Sequence, residues 1–115
     1  MDTNLREEIY RLHAKICGGL ADPNRILILY ALAEEPRFVS QLAEMLNMPQ
    51  PTCSRHLKVL RDRGMVSAQR DGQQVVYSID DERIIMALDL LRAVLADQLT
   101  DQAALAHTVN QQPFA

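Results

Sequence analysis

Tryptophan is absent from this 115-residue chain, and the aromatics number only two Phe and three Tyr. An interior built from such a chain must be aliphatic, and with 48% apolar residues there is enough material for one. Cysteine occurs twice, at Cys17 and Cys53, which excludes a disulfide framework and suits a reducing compartment. No apolar run approaches the roughly 20 residues that a membrane-spanning helix needs. The N-terminus, Met-Asp-Thr-Asn-Leu-Arg-Glu-Glu, lacks an apolar run behind a positive start, so no export signal is expected and the cytoplasm is the expected location. Also missing are a Gly-rich phosphate loop, a Gly-x-Ser-x-Gly elbow and a His-Glu-x-x-His pair. Cys53 and His56 share one side of a helix, but catalysis there would need a substrate pocket, so no enzyme and no cofactor are expected. Internal repeats and linkers are absent too, and the length is that of one domain.

Positive charge is scarce overall, with a net charge of −3, but it is unevenly placed. Residues 41–72 carry 5 basic and 3 acidic side chains, whereas residues 73–115 carry 2 basic and 6 acidic. The one net-positive block coincides with the most patterned stretch, Val39 to Ile79. Leu42, Ala43 and Leu46 share a helical face, and Met48, Cys53, Leu57 and Leu60 continue the apolar set into a second helix. Asn47-Met48-Pro49 is a turn between them, and Gly64 closes the second helix after Arg61 and Arg63. In this register Gln50, Thr52, Ser54, Arg55 and Lys58 point outward, and they are types that reach phosphates and base edges. Two strands, Val66–Gln69 and Val75–Ile79, flank Arg70-Asp71-Gly72-Gln73, a hairpin signal that places Arg70 at the tip against a phosphate. Helix, turn, helix and hairpin together read as a helix-turn-helix with a wing, a unit that reads double-stranded DNA.

The flanks predict further helices. Asn4 is a suitable N-cap, and Leu5, Ile9, Leu12 and Ile16 form a narrow apolar seam that ends at Gly18-Gly19. Asp22-Pro23 opens a helix that Ile26, Leu27, Leu29, Tyr30 and Leu32 make apolar on most of its girth, so it should be central. After the acidic Asp80-Asp81-Glu82, an almost unbroken apolar series from Ile84 to Leu99 exceeds what one buried face requires. The surplus, with the Leu5–Ile16 seam, predicts a symmetric homodimer through the terminal helices, using Leu5, Ile9, Leu12, Ile16, Leu88, Leu91 and Leu95. The expected fold is mainly α with a small β-hairpin: about five helices and a two-stranded wing in one domain over residues 1–107. Residues 108–115 show no periodicity and are expected to form a disordered tail.

The run from Gln41 to Leu46, the run from Gln50 to Leu60, Leu20–Arg25, and Gly64-Met65-Val66 ahead of the wing resemble the arsenic-repressor (ArsR/SmtB) family of bacterial winged-helix repressors. The resemblance covers about Ile16 to Leu95. It implies a homodimeric repressor released from operator DNA by a metal, metalloid or oxidant, and it places Arg25 near the DNA backbone. Pro49 departs from the family, where a hydroxyl residue usually caps the reading helix. One family metal site uses Cys-x-Cys before the turn, where this chain has Arg37-Phe38-Val39-Ser40. The other, on the last helix, falls on Asp81, Arg83, Val94 and Asp97, where both imidazoles are missing and an arginine repels a cation. No metal is therefore expected, and the inducer is not named by the sequence. Thiol chemistry at Cys17, alone, with Cys53 or with the same cysteine of a second subunit, is the sensing candidate, against a plain structural role for buried Cys53. The competing reading is a winged helix that docks a protein partner through its last helix. The absence of acidic residues from the outward set Gln50 to Lys58 favours DNA.

Overall fold

The structure is a computed structural model that describes residues 1–111, with side chains described through Leu105. The chain packs as two compact units, Met1–Glu82 and the segment from Arg83 onward. In the first unit the order is α1 (Thr3–Leu12), a π-helical turn (His13–Cys17), α2 (Pro23–Glu34), β1 (Arg37–Phe38), α3 (Val39–Met45), α4 (Gln50–Asp62), β2 (Val66–Asp71) and β3 (Gln74–Ile79). The second unit is α5 (Arg83–Gln111).

Local chemistry sets most of these boundaries. Asp22 caps α2, its carboxylate accepting from the Asn24 N–H at 2.8 Å, and Pro23 occupies the first turn without losing a helical hydrogen bond. Asn47 takes a left-handed φ of 54° between α3 and α4, and Gly64 takes 73° just past α4. The cap of α1 is Asp2, which accepts from the Asn4 N–H at 3.1 Å, and not Asn4 as the sequence suggested.

The core is aliphatic. Ile28 and Leu29 of α2, Leu42 of α3, Leu57 and Leu60 of α4 and Met65 are fully buried, with Cys53 among them. Burying each large side chain contributes about 1.5–3 kcal/mol. Leu27 is half exposed, so α2 is central on one side only. The helix α1 buries no side chain: Leu5, Ile9 and Leu12 stand 42%, 45% and 45% exposed.

The sheet has three antiparallel strands in the order β1-β3-β2, one more than the hairpin alone. Two residues suffice for β1, Arg37 opposite Tyr77 and Phe38 opposite Val76. The wing also differs at its tip. Its ladder continues through Arg70 opposite Val75 to Asp71 opposite Gln74, leaving only Gly72 and Gln73 in the loop. Gly72 carries a φ of 65° and Gln73 does not share it, the pattern of a type II′ turn. Arg70 is thus an exposed ladder residue near the tip, not the tip itself.

In α5, Leu88 is buried, whereas Met86, Leu90, Leu91, Val94, Leu95, Leu99 and Leu105 are exposed. The helix passes the boundary expected at residue 107 and reaches Gln111; residues 112–115 of the expected tail lie outside the described residues. Among the described residues, no helix is long and apolar enough to cross a membrane.

Candidate nucleic-acid interface

Helix α4 has two unlike sides. Cys53, Leu57 and Leu60 are sealed into the core at intervals of four and three, which turns Gln50, Ser54, Arg55 and Lys58 to the outside and leaves Thr52 half-buried. Arg55 Nη2 donates to Thr52 Oγ1 at 3.2 Å, and Lys58 Nζ pairs with Asp62 at 3.0 Å, each along the helix surface. No acidic side chain occurs between Gln50 and Arg61. The cap position is Pro49, which offers no side-chain oxygen, so the first amides of α4 lack a side-chain acceptor. An N-terminus of this kind can donate to a phosphate oxygen.

Beside that end of α4 lies a cleft of about 410 Å³, between the start of α3 and the wing. Phe38, Ser40, Gln50, Gln73, Gln74 and Tyr77 line it, and no charged side chain does. Gln50 therefore faces both the outer surface of α4 and this cleft. Ser40, Gln73 and Gln74 were not among the sequence candidates. A two-residue loop would have revealed the two glutamines, because it places Gln73 in the turn and Gln74 at the last rung of the ladder.

A family model for bacterial regulatory proteins of the arsR family matches residues 22–68. The chain is 39% identical over 100 residues to the HTH-type transcriptional regulator Rv0081 of Mycobacterium tuberculosis, covering 86% of this chain and 88% of that protein. The crystal structure of Rv0081 matches with a TM-score of 0.74 at 38% identity, over 83% of this chain and 96% of that one. This chain belongs to the arsR family. Its fold is the winged helix-turn-helix, and the relatives it matches over most of their length are transcriptional regulators. The HTH-type transcriptional repressor SmtB of M. tuberculosis is 38% identical over 77 residues, 67% of this chain. The match spans only 57% of that repressor's length. A homodimeric winged helix-turn-helix DNA-binding domain of Mb0332 from Mycobacterium bovis, solved by solution NMR, matches with a TM-score of 0.73 at 27% identity, over 86% of this chain and 91% of that one.

Arg25 is drawn inward: its Nε donates to the Gly19 carbonyl at 2.8 Å and its Nη2 to that of Gly18 at 3.2 Å, so the guanidinium holds a helix end. Cys17 is exposed, whereas Cys53 is buried and burial pushes its thiol above the ordinary range. Of the expected dimer residues, Leu5, Ile9, Leu12, Leu91 and Leu95 are exposed, Ile16 is half-buried, and Leu88 is buried within the single chain. Leu88 is thus occupied before any partner arrives. Among the described residues, no three or more His, Cys, Asp or Glu gather as a metal-holding group.

Proposed function

We propose that this chain is a homodimeric repressor that binds operator DNA in the cytoplasm, with residues 1–107 as its DNA-binding and dimerisation domain. The observation that carries the reading is the two-sided α4. Three residues lock it into the core while Gln50, Ser54, Arg55 and Lys58 stand open without an acidic neighbour before Asp62. Gln50, Thr52 and Ser54 lie in the first turns of α4, the part of a recognition helix that meets base edges in the major groove. Arg55 pairs with guanine or a phosphate, Lys58 holds a phosphate, and Arg70 meets flanking backbone from the wing. Ser40, Gln73 and Gln74 extend the face with neutral donors around Gln50.

Dimerisation answers the other open surface. Helix α1 has an apolar seam with nothing buried, and α5 exposes a second series centred on Leu91 and Leu95. A helix of ten residues is marginal alone in water, and a partner that covers its seam supplies the missing stabilisation. The homodimeric neighbour from M. bovis supports this reading. For release, the accessible thiol is Cys17; the raised thiol of Cys53 stays protonated and shielded. Treating the protein with peroxide, polysulfide or arsenite and measuring operator affinity tests Cys17, and unchanged affinity with all three removes it.

The whole reading is tested by selecting bound sequences from random duplex. A roughly palindromic consensus with half-sites about one helical turn apart is expected. Recovery of no consensus overturns it and leaves a winged helix that docks protein.

A further inference from the structure

The end of the N-terminal helix meets the reading head through Arg63, beside the bonds that Arg25 of α2 makes to Gly18 and Gly19. No side chain of α1 is fully buried, and its apolar seam stays partly open. After Leu12 the helix widens to π geometry over His13–Cys17, and the Gly18 N–H reaches back five residues to the His13 carbonyl at 2.9 Å. The amides that follow then go elsewhere. Gly19 donates to Ile16 at 3.0 Å, and Leu20 to Ile16 and Cys17 at 3.2 and 3.0 Å. The carbonyls of Ala14 and Lys15 are passed over by the amides of residues 18–20.

Arg63 takes both. Its Nη1 donates to the Ala14 carbonyl and, at 3.1 Å, to that of Lys15. Arg63 is the residue that caps α4, so one guanidinium ties the end of α4 to the end of α1 across 49 positions of sequence. Gly18 and Gly19 fit this arrangement. A Cβ on Gly18 would stand 2.7 Å from Arg63 Nη1 and 3.0 Å from the Ala14 oxygen; one on Gly19 would stand 2.7 Å from Met65 Sδ and 3.1 Å from Arg63 Cδ. The arginine lies where those side chains would be.

We infer that Arg63 is a positioning residue: it locks α4 to α1 and so sets the separation of the two recognition helices, and with it the half-site spacing that the dimer accepts. The inference rests on the proposed reading of α4 as recognition helix and α1 as part of the dimer face. In a symmetric dimer the path from one α4 to the other then runs through Arg63, α1 and their symmetry mates. A planar guanidinium that bonds two carbonyls fixes that joint; without it the heads can swing, and several spacings become nearly equivalent.

The test uses the full chain and duplexes that carry identical half-sites at centre-to-centre spacings stepped by single base pairs around one helical turn. Wild type should show a sharp optimum. Arg63→Ala should lose about tenfold at that optimum and flatten the profile. Its affinity for a single half-site and the slope of log affinity against log salt should stay unchanged. Arg63→Lys, which retains a donor, should fall between them. A wild-type profile for Arg63→Ala overturns the inference. So does flattening accompanied by a salt slope lower by about one unit per arginine, which would make Arg63 a phosphate ligand. Gly18→Ala keeps every charge while placing a methyl in the guanidinium's seat. If Arg63→Ala fails to fold, Gly18→Ala must flatten the profile, and a wild-type profile there overturns the inference equally. A wild type that binds no duplex, or is monomeric, refutes the reading of function beneath it instead.

Discussion

Lys58 and Asp62 form an ion pair on the open side of α4, Nζ to Oδ2 at 3.0 Å, with the two side chains 68% and 57% exposed. A pair this exposed is worth about 0.3–0.5 kcal/mol, so a phosphate can draw the lysine away from it. Asp62 also repels the polyanion that Lys58 is proposed to meet. Asp62→Asn is therefore expected to tighten binding to all duplexes alike, by about two- to fivefold at low salt. Lys58→Ala should weaken binding to all sequences and flatten the salt dependence by about one unit per lost phosphate contact. Titrations at several salt concentrations measure both. Weaker binding by Asp62→Asn would mean that the carboxylate orients the lysine and does not compete for it.

Base reading and backbone positioning make separate demands. Gln50 opens α4 beside the neutral cleft, and Arg55 stands one turn further along. Gln50→Ala and Arg55→Ala should relax the preference at particular base pairs, at a cost of about 1–3 kcal/mol per half-site. Arg70, in the ladder two residues before the loop, should act uniformly on all sequences when changed to Ala. The reverse pattern, with Arg70→Ala altering which bases are preferred and the two α4 variants altering only affinity, would overturn the division of labour.

Much of this is legible in the sequence, because local chemistry specifies it. The cap at Asp22, the left-handed turn at Asn47, Gly64 past α4, and the buried register of Leu42, Cys53, Leu57 and Leu60 each follow from residue type and spacing. What escaped is tertiary. β1 is two residues long and exists only because β3 arrives some 40 positions later to pair with it, so no periodicity announces it. The wing tip differs because Gly72 serves as the first residue of a two-residue loop, whereas Asp-Gly alone suggests the centre of a four-residue turn. Arg63 looked like a charge suited to a helix C-terminus; its acceptors on Ala14 and Lys15 are set by a π turn that no sequence rule locates. Leu88 matched the apolar stripe of α5, but a stripe does not distinguish residues buried in one chain from those left for a second.

The exposed apolar series make assembly directly measurable. Wild type should sediment as a dimer at micromolar concentration. Leu91→Asp or Leu95→Asp places an unpaired carboxylate where the partner would bury it, and should give monomers that bind the operator weakly. Ile9→Asp should do the same from α1, which has no buried face of its own to disrupt, so the monomer should keep its helical core. A wild type that remains monomeric would refute the proposed dimer. Dimeric charged variants would place the interface elsewhere.

Cys53 links burial to alkaline stability. Its thiol is held above its ordinary value of 9.0 because the core disfavours the thiolate. Unfolding returns it to water and to that ordinary value. Between the two values the unfolded chain has released the proton and the folded chain has kept it. The unfolded state then binds fewer protons, and stability falls as pH rises. The contribution is thus complete below about pH 9 and is lost as pH climbs through the folded value. Cys53→Ala removes the titrating group and some packing. It should be less stable at pH 7, by about 1 kcal/mol, yet lose less than wild type between pH 8 and about 10. Urea midpoints for both proteins across that range measure the difference. In the same samples a thiol reagent should modify Cys17 readily in the folded protein and Cys53 only as it unfolds. Equal alkaline losses in the two proteins, or fast labelling of Cys53 in the folded state, would show that its seat in the core opens readily. Cys53 would then return as a sensing candidate beside Cys17.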